Sequence, residues 1–252
     1  MVQKARAVLS ILFHPWQTAG MTSPERPGKR AQARAELLAD VGRVARAHVA
    51  ESGAAALSVR AISRELGLAS SALYRYYPSR DALLTRLIID AYNDLGETVE
   101  RREAHVSRTD LAGRYSAICH AVRDWALAHP HEYALIYGSP VPGYAAPDDT
   151  IDPAVRVARV LLALAADVDP ATIGLRCDDA LDPVLLDQFG ALVDGVGLDI
   201  APEVLAVGIT QWSQLFGIVS FELFGTFNNT FEPADAIFDQ HVRLGIVALG
   251  LS

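Results

Sequence analysis

The sequence is poor in the residues that staple or metallate a small fold. It has two cysteines, Cys119 and Cys177, among 252 residues. That excludes a disulfide-built secreted scaffold and a CxxC-type zinc site, and two lone thiols fit a reducing cytosol. No stretch approaches 18 consecutive apolar residues, so no membrane-spanning helix is expected. The sequence carries no GxSxG elbow, HExxH, P-loop or GxGxxG before a strand, and almost no strand-like segment to hold one. The glycine- and proline-bearing loop Gly138–Tyr144 lacks the lysine of a phosphate cradle. His129 and His131 bracket a proline without a third ligand at useful spacing, so neither a metal nor a cofactor is expected, and catalysis finds little support. What is there is the balance of a soluble globular chain, 51% hydrophobic and 21% charged residues, long enough to bury a sizeable core.

Charge is scarce in one sign overall but not locally. The formal net charge is −8, yet residues 1–80 hold 12 Lys+Arg against 5 Asp+Glu, and residues 81–252 hold 10 against 25. A partner meets the local field rather than the whole-chain sum. A basic N-terminal third on an acidic remainder fits a polyanion-binding module carried by a body with another task.

The first residues weakly mimic a signal peptide, with Lys4 and Arg6 ahead of the apolar run Ala7–Phe13. The run is short, and Pro15-Trp16 follows in place of a small-residue cleavage site, so export is not expected. Met21 then opens a polar segment. Either translation begins near Met21, or residues 1–28 form a flexible N-terminal extension.

From there the periodicity is helical almost throughout. Leu37, Leu38, Val41, Val44, Ala45 and Val49 predict an amphipathic helix over about 30–51, stopped at Ser52-Gly53. Ser58 caps a short helix to Glu65, Gly67 supplies a tight turn, and a third helix covers about 70–76. Ser79 caps a longer helix to about Glu103, and Ser107-Arg-Thr-Asp110 reads as a capping-box start for the next. Pro130, Pro153, Pro183, Pro202 and Pro233 fit first helical positions, giving helices near 130–137, 152–168, 182–195, 201–226 and 233–250. Residues 138–147 must be loop, and 169–181 are ambiguous. The fold class is all-α, with nine or ten helices: an N-terminal three-helix head, then a helical ligand-binding and dimerisation domain.

The head has the requirements of a helix-turn-helix. Two short helices packed at a wide angle need apolar Ile62, Leu66, Leu68 and Leu73, a small residue at Ser63 and glycine at the turn. Apolar spacing alone would fit any helical hairpin. The second helix, however, offers Ser70, Ser71, Tyr74 and Tyr76 to a major groove, flanked by Arg60, Arg64, Arg75 and Arg80 for phosphates. Leu73 and Tyr77 read as core.

The run LSVRAISRELGLASSALYRYYPSRDALL over residues 57–84 resembles the DNA-binding signature of the tetracycline-repressor (TetR) family. The match, from about Arg34 to Tyr92, combines an alanine/isoleucine helix, a glycine turn, an aromatic recognition helix and a serine cap. The resemblance implies a one-component transcriptional regulator, a repressor that binds a palindromic operator as a cytoplasmic homodimer and is released by a small-molecule effector. It implies base or groove contacts by Arg60, Ser70, Ser71 and Tyr74, phosphate contacts by Tyr76 and Arg80, and Ser58 as a cap beside the backbone; Arg34 adds a first-helix phosphate contact. The implied domains are a helix-turn-helix over 29–78 and an effector-binding and dimerisation domain over 79–252, with the helix from Ser79 to Glu103 as lever. HPHEYALIYGSPVPGY (129–144) and WSQLFG (212–217) further resemble the WHG-type C-terminal domain of the family, although Phe216 stands where histidine is usual.

In the body, Trp212, Leu215, Phe216, Val219, Leu223 and Phe227 form one apolar stripe, and Phe238, His241, Val242, Gly245, Ile246 and Leu249 another. Either stripe could be core, but the family resemblance implies a dimer interface. Candidate effector-pocket residues are Cys119, His120, Trp125, Tyr133, Tyr137, Trp212 and Phe216. Cys177-Asp-Asp179, Asp182 and Asp187 read as a solvated face. The rival expectation is a helical ligand-binding or enzymatic protein with a vestigial DNA-binding head.

Overall fold

The computed structural model describes residues 28–173 and 181–251. The N-terminal extension with Met21 and the run Cys177–Asp179 therefore lie outside the described residues. Those described form eleven α-helices and no strand. They are α1 (Lys29–Ser52), α2 (Val59–Glu65), α3 (Ser70–Tyr74), α4 (Arg80–Ala104), α5 (Leu111–Ala128), α6 (Pro130–Tyr137), α7 (Ile151–Ala154), α8 (Arg156–Ala165), α9 (Pro183–Val196), α10 (Pro202–Leu223) and α11 (Asp235–Ala248).

The boundaries follow local chemistry. Gly53, at φ +78°, stops α1 and donates its N–H to the Val49 carbonyl. Ser58 Oγ accepts from the Ala61 N–H at 3.4 Å and Ser79 Oγ from the Ala82 N–H at 3.0 Å, satisfying amides that a helix start leaves orphaned. The capping box expected at Ser107 does not form. Asp110 instead accepts from the Gly113 N–H at 2.8 Å, and α5 begins at Leu111; the Ser107 and Thr109 hydroxyls pair with each other at 3.0 Å. Pro130, Pro183 and Pro202 take the first helical position as expected, whereas Pro153 sits inside one-turn α7 and Pro233 lies before α11 begins at Asp235. The single helix expected over 152–168 is thus α7 followed by α8.

Chain contacts divide the described residues into two compact units, and the division falls inside α4. One unit, here the head, holds the residues up to Tyr92 together with His129–Thr150. Its core is Val41, Val44 and Ala45 of α1, Val59 and Ile62 of α2, Leu73, and Leu83, Leu84, Leu87 and Ile88 of α4. Leu135, Ile136, Val141 and Tyr144 pack against that core, so α6 and the loop after it build the head from later in the chain.

The other unit, the body, holds Asn93–Ala128 and the residues from Ile151 onward. Its interior includes Tyr115, Ile118, Cys119, Val122 and Trp125 of α5, Leu164 of α8, Leu215 and Val219 of α10, and Phe238 and Val242 of α11. Helix α10 is long and apolar enough to cross a membrane by length and composition, with an 18-residue window of mean hydropathy 1.4. Uninterrupted apolar length had excluded such a segment, because Thr210, Gln211, Ser213 and Gln214 break the run; mean hydropathy averages over them. In the body this helix buries Leu205, Gln211, Leu215 and Val219 along one side.

Candidate nucleic-acid interface

Helices α2 and α3 set the geometry of the head. Val59, Ile62 and Ser63 of α2 and Leu73 of α3 are buried, and the small Ser63 satisfies its hydroxyl on the Val59 carbonyl at 2.9 Å. The turn between them passes through Gly67 at φ +65°, a conformation that a Cβ would strain. The Leu68 N–H then returns to the Ser63 carbonyl at 2.8 Å. Leu66 and Leu68 are half-buried, and Tyr77 is buried as expected, which pushes its phenol up from the ordinary value.

With its apolar side committed, the opposite side of α3 faces out. Ser71, Tyr74 and Arg75 are exposed, and Ser70 is half-buried. Arg60 and Arg64, one turn apart on α2, are exposed too. Of the sequence-predicted residues, Ser58 is engaged as the α2 cap. Arg34 places its guanidinium 5.4 Å from the centroid of the Tyr76 ring. Arg80 is not free: it donates to the Ala54 carbonyl at 3.0 Å and pairs with Asp81 at 3.3 Å. By contrast Arg60, Arg64 and Arg75 have no carboxylate partner among the described residues. Arg64 and Arg75 are expected from sequence only as flanking cations, and the signal that ranks them is tertiary: no acid among the described residues reaches them.

Comparison with known proteins bears on the same segments. The family model described as bacterial regulatory proteins, tetR family, matches residues 43–87, and the model described as tetracyclin repressor-like, C-terminal domain, matches residues 115–244. The chain is 39% identical over 227 residues to the HTH-type transcriptional regulators Rv1816 of Mycobacterium tuberculosis and Mb1846 of Mycobacterium bovis, covering 89% of this chain and 97% of each relative. The chain belongs to the TetR family. The crystal structure of the regulatory protein SCO4313 is similar to this TetR-family chain at TM-score 0.72 and 31% identity, over 88% of this chain and 99% of that one.

The candidate effector residues of this TetR-family protein fall into two units. Cys119, His120, Trp125, Trp212 and Phe216 belong to the body, whereas Tyr133 and Tyr137 belong to the head. Cys119 is fully buried, and burial pushes its thiol up to about 12. His120 bridges α5 and α11, with Nε2 3.2 Å from Asp239 and Nδ1 2.8 Å from the Ser116 carbonyl. Trp125 donates its indole N–H to Asp94 at 2.7 Å. Tyr133 is fully buried, and its ring lies 5.1 Å from that of Tyr137, which in turn meets Tyr92 edge-on at 6.0 Å. Burial raises the Tyr137 phenol well above its ordinary value. A shallow cleft in the head is lined by Arg46, Val49, Leu87, His131, Glu132 and Leu135, none of them a predicted pocket residue.

The two apolar stripes sort by depth. Leu215, Val219, Phe238, Val242, Gly245 and Leu249 are buried within the chain, and Phe216, Leu223, Phe227, His241 and Ile246 are half-buried. Gly245 is required there: a Cβ would stand 2.4 Å from the Tyr115 hydroxyl. Only Trp212, 38% exposed and edge-on to Phe216, looks outward. The outward apolar residues of α10, α11 and their connection are instead Ile209, Phe221, Phe224, Phe231, Leu244 and Val247. The helical period found both helices and the phase of their buried side, and much of the stripes that the resemblance implied as a dimer interface is taken up within the chain. Asp182 and Asp187 are exposed, Asp182 capping α9 through the Val184 N–H at 2.8 Å.

Proposed function

We propose that this TetR-family protein is a one-component transcriptional repressor acting in the cytoplasm. It binds a palindromic operator as a homodimer and is released by a small-molecule effector. The observation that carries the DNA reading is that Arg60 and Arg64 of α2 and Arg75 after α3 are exposed and meet no carboxylate among the described residues. A guanidinium without a carboxylate can neutralise a phosphate without first breaking an ion pair, and it releases counterions as it does so. Ser70, Ser71 and Tyr74 contact the groove, Arg60 reaches a base edge, and Arg34, Tyr76 and Arg80 contact phosphates, Arg80 by exchanging its bond to Ala54. Ser58 holds α2 beside the backbone.

The homodimer reading is supported by the outward apolar residues Ile209, Trp212, Phe221, Phe224, Leu244 and Val247 of α10, α11 and their connection, which a second copy would cover. Joining two heads lets two half-sites about one helical turn apart be read together. The effector reading keeps two separate groups of candidates, Cys119, His120, Trp125, Trp212 and Phe216 in the body and Tyr133 and Tyr137 in the head. A ligand releases DNA only if it binds more tightly to a state whose recognition helices fit the operator poorly. Helix α4, shared by both units, is the proposed lever.

The experiment is a fluorescence-anisotropy titration with duplexes from upstream of the protein's own gene. Binding that weakens steeply with salt and is lost in Tyr74→Ala is expected; absent or salt-independent binding overturns the reading. Light scattering on Leu244→Glu tests the dimer: a shift from dimer to monomer is expected, and an unchanged mass overturns that face.

A further inference from the structure

Among the described residues, two guanidinium groups lie over aromatic rings. In the body, Arg123 sits 4.9 Å from the centroid of Phe238. Its edges are consumed, by Glu222 at 2.6 and 2.7 Å and by Asp235 at 2.7 Å. In the head, Arg34 sits 5.4 Å from the centroid of Tyr76, yet no carboxylate closes its edges among the described residues. A guanidinium lying over a ring keeps its N–H donors directed outward in its own plane. The same stacking is thus closed in the body and open in the head.

The platform is fixed. Tyr76 is half-buried against the head core, and its N–H bonds to the Leu73 carbonyl at 2.9 Å, immediately after the recognition helix. Arg34, on α1, is exposed, and Arg30 lies one turn before it on the same helix face, also exposed and without a carboxylate partner. Two elements distant in sequence therefore bring together an arginine with no carboxylate partner among the described residues and the ring that follows α3.

We infer that Tyr76 is a positioning residue for Arg34: the ring holds the Arg34 guanidinium as a clamp on a DNA backbone phosphate, extending the phosphate track from α3 to α1. This rests on the DNA-binding reading above and adds a dependence between two residues. A flexible arginine pays side-chain entropy on fixing to a phosphate, and stacking on a fixed ring removes part of that cost beforehand. The clamp carries no sequence information, because phosphates are common to every site.

The test is anisotropy over a salt series with full-length protein. It uses one labelled duplex selected in vitro against the wild type and one scrambled duplex. Arg34→Ala is expected to weaken both duplexes by the same factor and to flatten the slope of log K against log salt by about 0.9 for each chain bound. The decisive comparison repeats Arg34→Ala in two backgrounds. In Tyr76→Phe, which keeps the ring and loses the hydroxyl, the slope change persists. In Tyr76→Leu, which keeps apolar bulk without an aromatic face, it disappears. Thermal unfolding establishes that the variants fold, and Tyr76→Met serves in place of Leu if packing rejects the branched side chain. An unchanged slope in Arg34→Ala, or an equal effect of Arg34→Ala in the Phe and Leu backgrounds, overturns the inference. Failure of the wild type to bind either duplex overturns the DNA reading itself, and is told apart by that control.

Discussion

In the body, Arg102, Arg108, Arg114, Arg123, Arg156 and Arg159 each face a carboxylate; in the head, Arg60, Arg64 and Arg75 face none among the described residues. Depth explains half of this difference. Arg114 is fully buried, bonded to Glu103 at 2.5 Å and Asp167 at 2.7 Å, and Arg123 is nearly so. A buried guanidinium without a counterion would be prohibitively costly. The head cations are solvated, so nothing in folding demands a partner for them. Composition explains the other half, because the acidic excess lies after residue 80. Arginine is therefore a buried structural tie at Arg114 and Arg123 of the body and a solvated, available charge at Arg60, Arg64 and Arg75 of the head, whose Arg43, Arg46, Arg80 and Arg86 do meet carboxylates.

The largest test of this contrast removes a body tie. Arg114→Ala removes the buried partner of Glu103 and leaves it only the exposed Arg108 at 2.7 Å, and is expected to destabilise the protein by about 3 kcal/mol in urea unfolding, whereas Arg60→Ala should stay within about 0.5 kcal/mol while weakening DNA. Next, the head can be made to resemble the body. Ser71→Glu places a carboxylate one turn before Arg75 and beside the phosphates, and is expected to lower DNA affinity at least ten-fold with stability nearly unchanged. A smaller effect sharpens the role of Ser58: Ser58→Ala loses the α2 cap and should cost about 1 kcal/mol, read as a lower urea midpoint, with DNA affinity falling only through the population of folded head. Smallest is the effect of pH on the body interior. Burial raises the Cys119 thiol from 9.0 to about 12, so its contribution to stability is complete below pH 9 and fades as pH rises from there toward 12. At pH 8 a thiol reagent should label Cys119 only as fast as the body opens, a rate that urea accelerates.

Much of the fold was legible because its signals are local. Ser58, Ser79 and Gly67 act within four residues of where they stand, so their caps and turn could be read directly. The Ser107 cap failed for the same kind of reason: Asp110 lies nearer the first apolar residue and closes the helix start with a stronger acceptor. In the head, the pattern of α2 and α3 separated Ile62, Ser63 and Leu73 from Ser71 and Tyr74, because a short helix against one core has one possible inside. Arg80 shows the limit. Its charge was plain, but its bond to Ala54, 26 residues earlier, has no local signature.

The body was less legible because its helices are apolar on more than one side. Period marks the apolar stripe of α10 with Leu215 and that of α11 with Phe238, but not whether those stripes pack within the chain or against a second copy, nor that Ile209, Phe221, Leu244 and Val247 are left outward. The placement of Tyr133 and Tyr137 was hidden as well, since α6 follows α5 without a break in composition yet packs in the other unit.

Sequence alone determined the helices, the turn of the head, the basic-to-acidic division and the family, because propensity, capping and charge are carried by neighbouring residues. Tertiary structure alone decided which arginines lack a carboxylate among the described residues, that the apolar stripes of α10 and α11 pack within the chain, and that the ring of Tyr76 lies beneath Arg34. Each of these depends on a distance between residues far apart along the chain, and only the packed core fixes such distances.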